Sequence, residues 1–372
     1  MSLRVEEVKD DKKRLKAFVD LPFCLYKNDP LWVPPLKSEV ASFFTGKHPF
    51  CEHSEIAAFV AIEGKKILGR VAAIVDKNFI AYHQKPTGYF GFFESVNAKE
   101  ITIALFERVE DHLRKKGIKE IIGPMNPSTN YECGLLVEGF SMPPYIMMPH
   151  NPPFYQELLE AVGLKKAKDL LANLLMGDGL LPERLERIAS RVRSKIPEVR
   201  IRSIDPKNIQ KEIRKFLTIY NEAWAQNWGF VPMSEKEVSY FAKVLKSVLV
   251  PSLALFAEYK GEPAGFILAL PNYNHVLKVL KGRLTPWGIL RALWIKSRIK
   301  EIRIPLFGIR PKYRLKGIDT LLYLEVFKRG WQLGYRRAEL SWILEDNHLM
   351  QKAIESLGGR PYKRYRIYWK EI

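Results

Sequence analysis

The sequence has few cysteines and no long apolar run, and both absences narrow the class of protein. Its three cysteines, Cys24, Cys51 and Cys133, are odd in number, far apart and without the spacing of metal ligands. No apolar stretch approaches the roughly 20 residues that a membrane-spanning helix needs. The N-terminal segment 1–16 is charged throughout and lacks the apolar core of a signal peptide. We therefore expect a cytoplasmic protein with reduced thiols and no metal site.

Acidic residues are also scarce relative to basic ones. The chain has 60 Lys and Arg against 41 Asp and Glu, which gives a formal net charge of +19. Such a surplus favours an anionic partner, and a nucleic acid, an anionic membrane surface and a polyphosphate cofactor all meet this condition. With 47% apolar and 12% aromatic residues the chain is predicted to be globular, and its 372 residues are enough for two domains.

Segments of the first half of the chain recur in the second half. The matching pairs are AFVA (58–61) with ALFA (254–257), FGF (90–92) with FGI (307–309), and QELLEAVG (156–163) with QKAIESLG (351–358). Because the offset between partners changes along the chain, each half carries one insert, at 123–151 and at 272–300. We interpret the chain as a duplicated domain, with a first domain over 1–178, a charged linking helix over 179–197 and a second domain over 198–372.

Each half shows the same order of predicted elements: a strand, a helix, a hairpin, a strand, a helix, a strand, a helix and a final strand. In the second half these are predicted at 200–204, 206–228, 253–270, 302–309, 317–333, 338–344, 347–357 and 364–369. This alternation predicts an α/β fold.

The segment GIRPKYRLKGIDTLLY (308–323) leads from a predicted strand into a predicted helix through a cationic turn. Backbone N–H groups at such a helix start favour an anion. The spacing Arg314-x-x-Gly317-x-Asp319 resembles the R/Q-x-x-G-x-G/A loop with which GNAT acyltransferases hold the pyrophosphate of acetyl-CoA. The segment that starts at Asn347 is similar to the one that contacts the pantetheine arm, and the order of elements is that of GNAT domains. The chain is identified as a member of the GNAT superfamily, of the tandem two-domain type.

This resemblance implies an α/β (α+β) fold of two tandem GNAT-like domains, each a mixed twisted sheet flanked by helices. It also implies a CoA-dependent N-acyltransferase that moves an acetyl or longer acyl group from acyl-CoA to a small-molecule or lipid-like amine. By position in the motif, the residues that bind the co-substrate are Phe307, Gly308, Ile309, Arg310, Arg314, Leu315, Lys316, Gly317, Ile318, Asp319 and Asn347.

The two halves differ at this loop. Glu100 stands opposite Gly317 in the first half, where it would repel a pyrophosphate and block its close approach, so we expect CoA in the second half only. Two residues of the second half also depart from the family pattern. Asp319 replaces a small residue, and Ile354 stands where the family often has a tyrosine general acid.

Acyl transfer to an amine needs a base and an oxyanion site where the fourth and fifth strands of a GNAT domain separate. Glu345, at the predicted end of the fifth strand, is the candidate base, and a carboxylate at a helix N-terminus is the alternative reading. Backbone N–H groups of 306–309 would bind the thioester carbonyl. Tyr362 and Tyr365 are candidates to protonate the leaving thiolate, with ordinary strand aromatics as the alternative.

The first half gathers polar residues at the equivalent place. The residues predicted to bind the acceptor are Glu94, Asn126, Ser128, Asn130 and Tyr131. Long loops of this kind are commonly functional, and a self-packed loop is the alternative.

The insert at 272–300 is basic and carries Trp287, Leu290, Leu293 and Trp294 on one face of a predicted helix. This composition is typical of a helix on an anionic bilayer, which would place the protein at the inner membrane face. A helix packed on its own domain is one alternative. A nucleic-acid surface is another, although no nucleic-acid motif accompanies it.

Two other functions fit parts of the sequence. A Fem-like aminoacyltransferase that takes its donor from charged tRNA would use the basic charge, but Gly317 and Asn347 argue against it. A catalytically inactive acyl-CoA-binding module fits Asp319 and Ile354.

Overall fold

The computed structural model describes residues 2–9, 11–177, 183–246 and 248–372. The first half contains β1 (Leu3–Glu7), α1 (Lys12–Leu25), α2 (Lys37–Phe44), β2 (Ser54–Glu63), β3 (Lys66–Asp76), α3 (Lys77–His83), β4 (Thr87–Ser95), α4 (Lys99–Lys115), β5 (Glu120–Gly123), β6 (Met125–Asn126), β7 (Glu132–Cys133), β8 (Leu135–Glu138), α5 (Tyr155–Ala161) and β9 (Lys165–Met176). The second half contains α6 (Glu183–Lys195), β10 (Val199–Ser203), α7 (Ile209–Ala223), α8 (Glu235–Leu245), β11 (Ala254–Tyr259), β12 (Glu262–Pro271), α9 (Asn274–Leu280), α10 (Pro286–Lys296), β13 (Glu301–Ile309), α11 (Ile318–Gln332), β14 (Arg337–Leu344), α12 (His348–Ser356) and β15 (Arg360–Glu371).

The hairpins of the two halves have the same register. Ala61 pairs with Gly69 in the β2–β3 hairpin, and the register shifts immediately after Ala61. Ala257 pairs with Gly265 in the β11–β12 hairpin, and the register shifts immediately after Ala257. The repeat seen in the sequence is therefore a repeat of structure, including its β-bulge.

The glycines at these positions let a helix approach the sheet closely. A Cβ atom on Gly69 would lie 2.9 Å from Leu105 of α4, and one on Gly265 would lie 3.3 Å from Leu322 of α11. The next residue of β3 points to the other face, because side chains alternate along a strand. There the guanidinium of Arg70 donates to the carbonyl of Phe18 in α1 at 2.6 Å. The sheet of the first half is thus covered by helices on both faces.

The chain forms two compact units that follow the halves of the repeat except in two segments. The first unit comprises the chain up to Leu171, Asn274–Lys296 and Lys363–Ile372, and the second unit comprises Ala172–Tyr273 and Ser297–Tyr362. Helices α9 and α10 and most of β15 thus belong to the first unit, although they lie in the second half of the sequence. The domain boundaries predicted at 178 and 198 differ from this division. Residues 178–182 of that region lie outside the described residues, and α6 occupies most of the predicted linking helix.

The C-terminal strand joins the first unit because its backbone pairs there. Strand β15 is antiparallel to β5, with Tyr368 opposite Gly123, and to β8, with Tyr365 opposite Leu136. The strand order of the first unit is β1-β2-β3-β4-β5-β15, and that of the second is β10-β11-β12-β13-β14. Only two neighbouring pairs in these two orders are parallel, β4–β5 and β13–β14.

Each unit has its own core between the sheet and the helix that follows the fourth strand. In the first unit α4 buries Leu105, Val109 and Leu113 against the sheet, and in the second unit α11 buries Leu322 and Val326. Each unit thus has a mixed sheet flanked by helices, and the predicted fold class is confirmed.

Candidate active site

The predicted phosphate loop, residues 310–319, connects β13 to α11 in the second unit. Leu315 and Gly317 have positive φ angles of 60° and 80°, and Gly317 is the N-cap of α11. Because the N-cap is a glycine, it offers no side-chain acceptor to the N–H groups of the first turn. Asp319 lies in this turn with its side chain exposed. A helix start of this kind fits a phosphate group.

The cations of the loop are held by specific partners. Arg310 makes two hydrogen bonds to the carboxylate of Glu222, at 2.9 and 2.7 Å, and these lower the pKa of Glu222. Lys312 donates to Glu262 at 2.7 Å. The ammonium of Lys316 lies 5.5 Å from the ring centre of Tyr313 and is exposed. Part of the positive charge predicted for this loop is therefore neutralised, and Lys316 is the cation best placed to meet an anion.

The glycine of the loop also meets a steric requirement that the sequence did not reveal. A Cβ atom on Gly317 would lie 2.4 Å from Cγ2 of Val192 in α6, in addition to the strain of its positive φ. Any side chain at Gly317 would therefore disturb the packing of α6 as well as the loop. Lys316 is a cleaner position at which to test anion binding.

Beside the loop, the strands β13 and β14 separate. Their parallel pairing ends at Ile304 opposite Leu340, while β13 continues along β12 as far as Ile309. We call the gap that opens beyond this last pair the splay. Phe307 packs its ring 4.5 Å from that of Tyr323 in α11, whereas Gly308 lies against Trp224. The residues predicted to hold the thioester, 306–309, lie along one side of the splay.

Glu345 and Asn347 follow the end of β14, at the same splay. The backbone carbonyl of Glu345 accepts a hydrogen bond from Gln351 at 2.9 Å. Asn347 is the N-cap of α12, and its Oδ1 accepts the N–H of Met350 at 3.2 Å. Both residues thus follow the strand that leaves β13 at the splay, and Asn347 has a capping role.

The two predicted proton donors belong to different units. Tyr362 is in the second unit and its hydroxyl donates to the carboxylate of Glu339. Tyr365 is in the first unit, where it is fully buried in β15 opposite Leu136 of β8. Only Tyr362 shares a unit with the predicted phosphate loop.

A buried polar cluster on β13 and β14 was missed as a site by sequence reasoning. Glu339 is fully buried and accepts a hydrogen bond from the hydroxyl of Ser341 at 2.6 Å. Arg303, also buried, donates to the same hydroxyl at 2.9 Å, and its Nε lies 3.5 Å from the Glu339 carboxylate. The sequence did contain a signal for this cluster. Arg303 and Glu339 have opposite charges and pair with each other in two adjacent buried strands.

Tyr323 is a further polar group that the sequence analysis did not select. Its hydroxyl donates to the sulfur of Met350 at 3.0 Å, between α11 and α12. Burial, together with the charge of Asp319, raises the pKa of Tyr323 well above its usual value of 10. The hydroxyl therefore keeps its proton at neutral pH. Its position three residues before Val326 in α11 is that of an ordinary core residue.

In the first unit the equivalent splay is filled by the chain itself. Pairing of β4 with β5 ends at Tyr89 opposite Ile122. Beyond it, the Asn126 side chain accepts the N–H of Phe92 at 2.6 Å, and a Cβ atom on Gly91 would lie 1.6 Å from the carbonyl oxygen of Met125. A thioester has no room beside these residues. Asn126, predicted to bind the acceptor, has its amide oxygen engaged in this contact.

Glu94 lies, partly buried, in a hydrogen-bonded cluster of the first unit. The hydroxyls of Tyr26 and Tyr155 donate to one of its carboxylate oxygens, both at 2.8 Å, and Arg70 lies 3.7 Å from the other. Burial raises the pKa of Glu94 above its usual value, although Arg70 and the two tyrosines oppose this. The cluster fixes the carboxylate firmly in place.

The other predicted acceptor residues have local contacts. Ser128 is buried, and its hydroxyl accepts the N–H of Asn130 at 3.3 Å in a short turn. Tyr131 is buried with its ring edge-on to those of Phe43 and His48, at 5.8 and 5.4 Å. These contacts hold the polar loop in place within the protein. That the loop binds an acceptor stays a prediction.

The basic insert forms α9 and α10 of the first unit. Asn274 donates to the carbonyl of Pro144 at 2.7 Å, and Gly282 accepts the N–H of Lys37 at 3.1 Å. These contacts hold one side of the insert, whereas the predicted apolar face of α10 is exposed. Trp287 is 80% exposed, and Leu290, Leu293 and Trp294 are 58%, 61% and 58% exposed.

The described residues contain neither a metal-binding cluster nor a membrane-spanning helix. No group of three or more His, Cys, Asp or Glu side chains in that part of the chain could hold a metal ion. In the same residues, no helix combines the length and the apolar character needed to cross a bilayer.

The fold that these elements form is the tandem GNAT fold. A tandem GNAT protein from the clavulanic acid biosynthesis pathway has a similar structure, with a TM-score of 0.58 over 100% of this chain and 98% of that one, at 13% identity. A GCN5-related N-acetyltransferase from Sphaerobacter thermophilus gives a TM-score of 0.53 over 99% and 96%, also at 13% identity. No family model matches the chain.

Two curated relatives extend over nearly the whole sequence. The bacterial ceramide synthase of Caulobacter vibrioides is 37% identical over 371 residues, 96% of this chain and 95% of that protein. Protein YghO of Escherichia coli is 36% identical over 369 residues, 97% of this chain and 94% of that protein. The chain belongs to the same family as these two proteins, and its fold is the tandem GNAT fold.

Proposed function

We propose that this protein uses acyl-CoA, held by its second unit, to acylate the amino group of a long-chain amphiphile at a membrane surface. The binding of acyl-CoA by the second unit is supported by a difference between the two units at the splay. In the second unit a helix start with Gly317 as its N-cap and Lys316 beside it adjoins the point where β13 and β14 separate. In the first unit the splay is filled by Met125 and Asn126.

The reaction forms an amide C–N bond and breaks the thioester C–S bond. The amine must lose a proton before it attacks, and Glu345 at the end of β14 is the proposed base. Backbone N–H groups of 306–309 would stabilise the oxyanion. Tyr362 is the proposed donor of the proton that the leaving sulfur needs, and Tyr323 is a second candidate because its hydroxyl stays protonated.

The observation that carries an amphiphilic acceptor is α10. Its exposed tryptophans and leucines are flanked by the exposed cations Arg283, Arg291 and Lys281. Tryptophans with neighbouring cations are what a helix at an anionic bilayer surface requires. The name of the Caulobacter relative, a ceramide synthase, supports a long-chain amino alcohol as the acceptor and a fatty acyl group as the cargo.

An assay with two donors and two acceptors tests this function. Purified protein is given acetyl-CoA or palmitoyl-CoA, with sphinganine in mixed micelles or a short water-soluble amine, and amide formation is followed by mass spectrometry. Palmitoyl-CoA with sphinganine should be the preferred pair. Transfer only to the soluble amine would contradict the lipid acceptor, and CoA binding without any product would indicate an acyl-CoA-binding module instead.

Flotation with liposomes tests the membrane contact. The protein should bind vesicles that contain phosphatidylglycerol, and added salt should weaken this binding because the attraction is screened. Trp287→Ala combined with Arg291→Glu should abolish it. Leu349→Ala is the matched control, since Leu349 of α12 is 81% exposed but lies outside the insert. A parent protein that ignores anionic vesicles at low salt would contradict the membrane contact.

A further inference from the structure

The second unit contains an apolar cavity that the loop and the splay do not account for. Its volume is about 480 Å³, within the range of roughly 300–1,000 Å³ that small-molecule sites occupy. Its walls are the end of β9, α6, the middle and the end of α11, the first residues of β13 and β14, and the end of α12. Apolar side chains that line it include Ile302, Ile304, Val326, Phe327, Leu340 and Leu357.

The cavity reaches the point where the two strands separate. Ile304 and Leu340 form the last parallel pair before the splay, and both line the cavity. Residues 302 and 304 point to the α11 face, while Arg303 points to the opposite face and joins the buried Glu339 cluster. The apolar cavity and the polar cluster therefore lie on opposite faces of the same strands.

The cavity also borders the helix that starts at the phosphate loop. Tyr323, which lines it, is five residues beyond Ile318, or about 8 Å along the helix axis at 1.5 Å per residue. A molecule with its phosphates at the start of α11 and its thioester in the splay would have its acyl chain next to this opening.

The charges around the cavity favour an uncharged tail over an amine. Among the described lining residues the single carboxylate is Glu355, and it is exposed. The cations at the rim have partners: Arg336 lies 3.7 Å from the ring centre of Trp331, and Arg337 pairs with Glu301 at 3.1 Å. A protonated amine would find no counter-ion inside, whereas a hydrocarbon chain needs none.

We infer that this cavity binds the hydrocarbon chain of the acyl-CoA donor and makes the enzyme selective for long acyl groups. This inference rests on the proposed use of acyl-CoA by the second unit. Gly330 provides a way to close the cavity from within α11. A Cβ atom there would lie 3.6 Å from Ile302, an ordinary contact, so larger side chains extend into the cavity.

The test compares the binding of acetyl-CoA and palmitoyl-CoA, measured by calorimetry, in the parent protein and in Gly330→Ala and Gly330→Phe. The parent should bind palmitoyl-CoA tighter than acetyl-CoA by on the order of tenfold or more, because apolar surface is buried. Gly330→Phe should remove this preference and leave the acetyl-CoA affinity unchanged. Gly330→Ala should keep it, and alanine is favoured over glycine in a helix, so folding is not impaired. If Gly330→Phe does not fold, Ala338→Leu obstructs the cavity from the opposite wall.

Three outcomes are decisive. Equal binding of both thioesters by the parent would overturn the inference while the proposed function stands. An equal loss of both thioesters in Gly330→Phe would also overturn it, because the cavity would then hold another part of the molecule. A parent that binds neither would contradict the proposed function itself, and the inference with it.

Discussion

The two units share a scaffold and differ where the fourth and fifth strands of each sheet separate. Both have the same bulged hairpin and the same parallel strand pair, whose two strands are joined by a helix that packs on the sheet. In the first unit the chain after β5 turns back into the splay, where Asn126 takes the N–H of Phe92. In the second unit the chain after β14 turns into α12. The two units therefore share one scaffold and differ in the few residues that follow the fifth strand, which is β5 in the first unit and β14 in the second.

Each unit also holds one carboxylate in place with several donors. Glu94 of the first unit is held by two tyrosines near one guanidinium, and Glu339 of the second unit is held by a tyrosine, a serine and a guanidinium. Both are fixed by several donors, which suits a positioning role. Glu345, at the end of β14, is the carboxylate that we assign to proton transfer.

The largest effect is expected from a variant that removes the proposed general base of the second unit. Glu345→Gln should lower kcat by about two orders of magnitude or more, as loss of a general base does, and leave the CoA affinity unchanged. Stopped-flow or single-turnover measurements and calorimetry provide the two values. The exposed neighbour Asp346→Asn is the matched control and should keep its rate. A normal rate with weaker CoA binding would assign Glu345 to the binding site instead.

Charge reversal at equivalent positions of the two loops should have unequal effects. Lys316→Glu is expected to weaken CoA binding by roughly tenfold or more, because an exposed cation near the phosphates becomes an anion. Lys99→Glu, its counterpart at the start of α4, should change nothing. Calorimetry with free CoA at two salt concentrations measures both, and the loss should shrink at high salt. Equal losses in the two variants would contradict the assignment of CoA to the second unit.

The sequence was sufficient for the repeat and for most elements of the second half. The hairpin, with its turn at Lys260 and Gly261, and helices α11 and α12 follow local rules of turn residues and apolar spacing, which a single sequence displays. Helix α8 was missed although Ser234 and Glu237 form a capping box, a signal that was available.

Long-range pairing could not be predicted in the same way. No local sequence pattern indicates that the C-terminal segment 363–372 pairs with β5 of the first unit. None indicates that Val192 packs on Gly317. Arg310 is a similar case. Its positive charge was predicted to be part of the anion-binding loop, but it forms an ion pair with Glu222 of α7. These contacts depend on which surfaces meet after folding, and spacing along one chain carries no information about that.

A smaller effect is expected where the first splay is filled. Asn126→Ala removes the acceptor of the buried Phe92 N–H, and an unsatisfied buried donor costs about 1–3 kcal/mol. Urea unfolding should show this loss, and CoA binding should not appear in the first unit, because the backbone of Met125 still occupies the gap. Asn97→Ala, an exposed asparagine of the same unit, is the control and should be neutral. A second CoA site in Asn126→Ala would show that the asparagine alone had closed the splay.

The smallest expected effect is a pH dependence that belongs to the first unit. The repeat places Glu94 opposite Pro311, so the second unit has no equivalent carboxylate. Because burial raises the pKa of Glu94, the folded state holds this proton more tightly than the unfolded state. Stability should therefore fall as the pH rises from the usual pKa of 4.5 through the raised value, and stay level above it. Urea unfolding between about pH 4 and 7 should show this decline in the parent and lose it in Glu94→Gln, whereas Glu100→Gln, at an exposed site, should keep it. A decline that survives in Glu94→Gln would mean that another group of the chain is responsible, and the buried cluster of the first unit would then be ionised throughout this range.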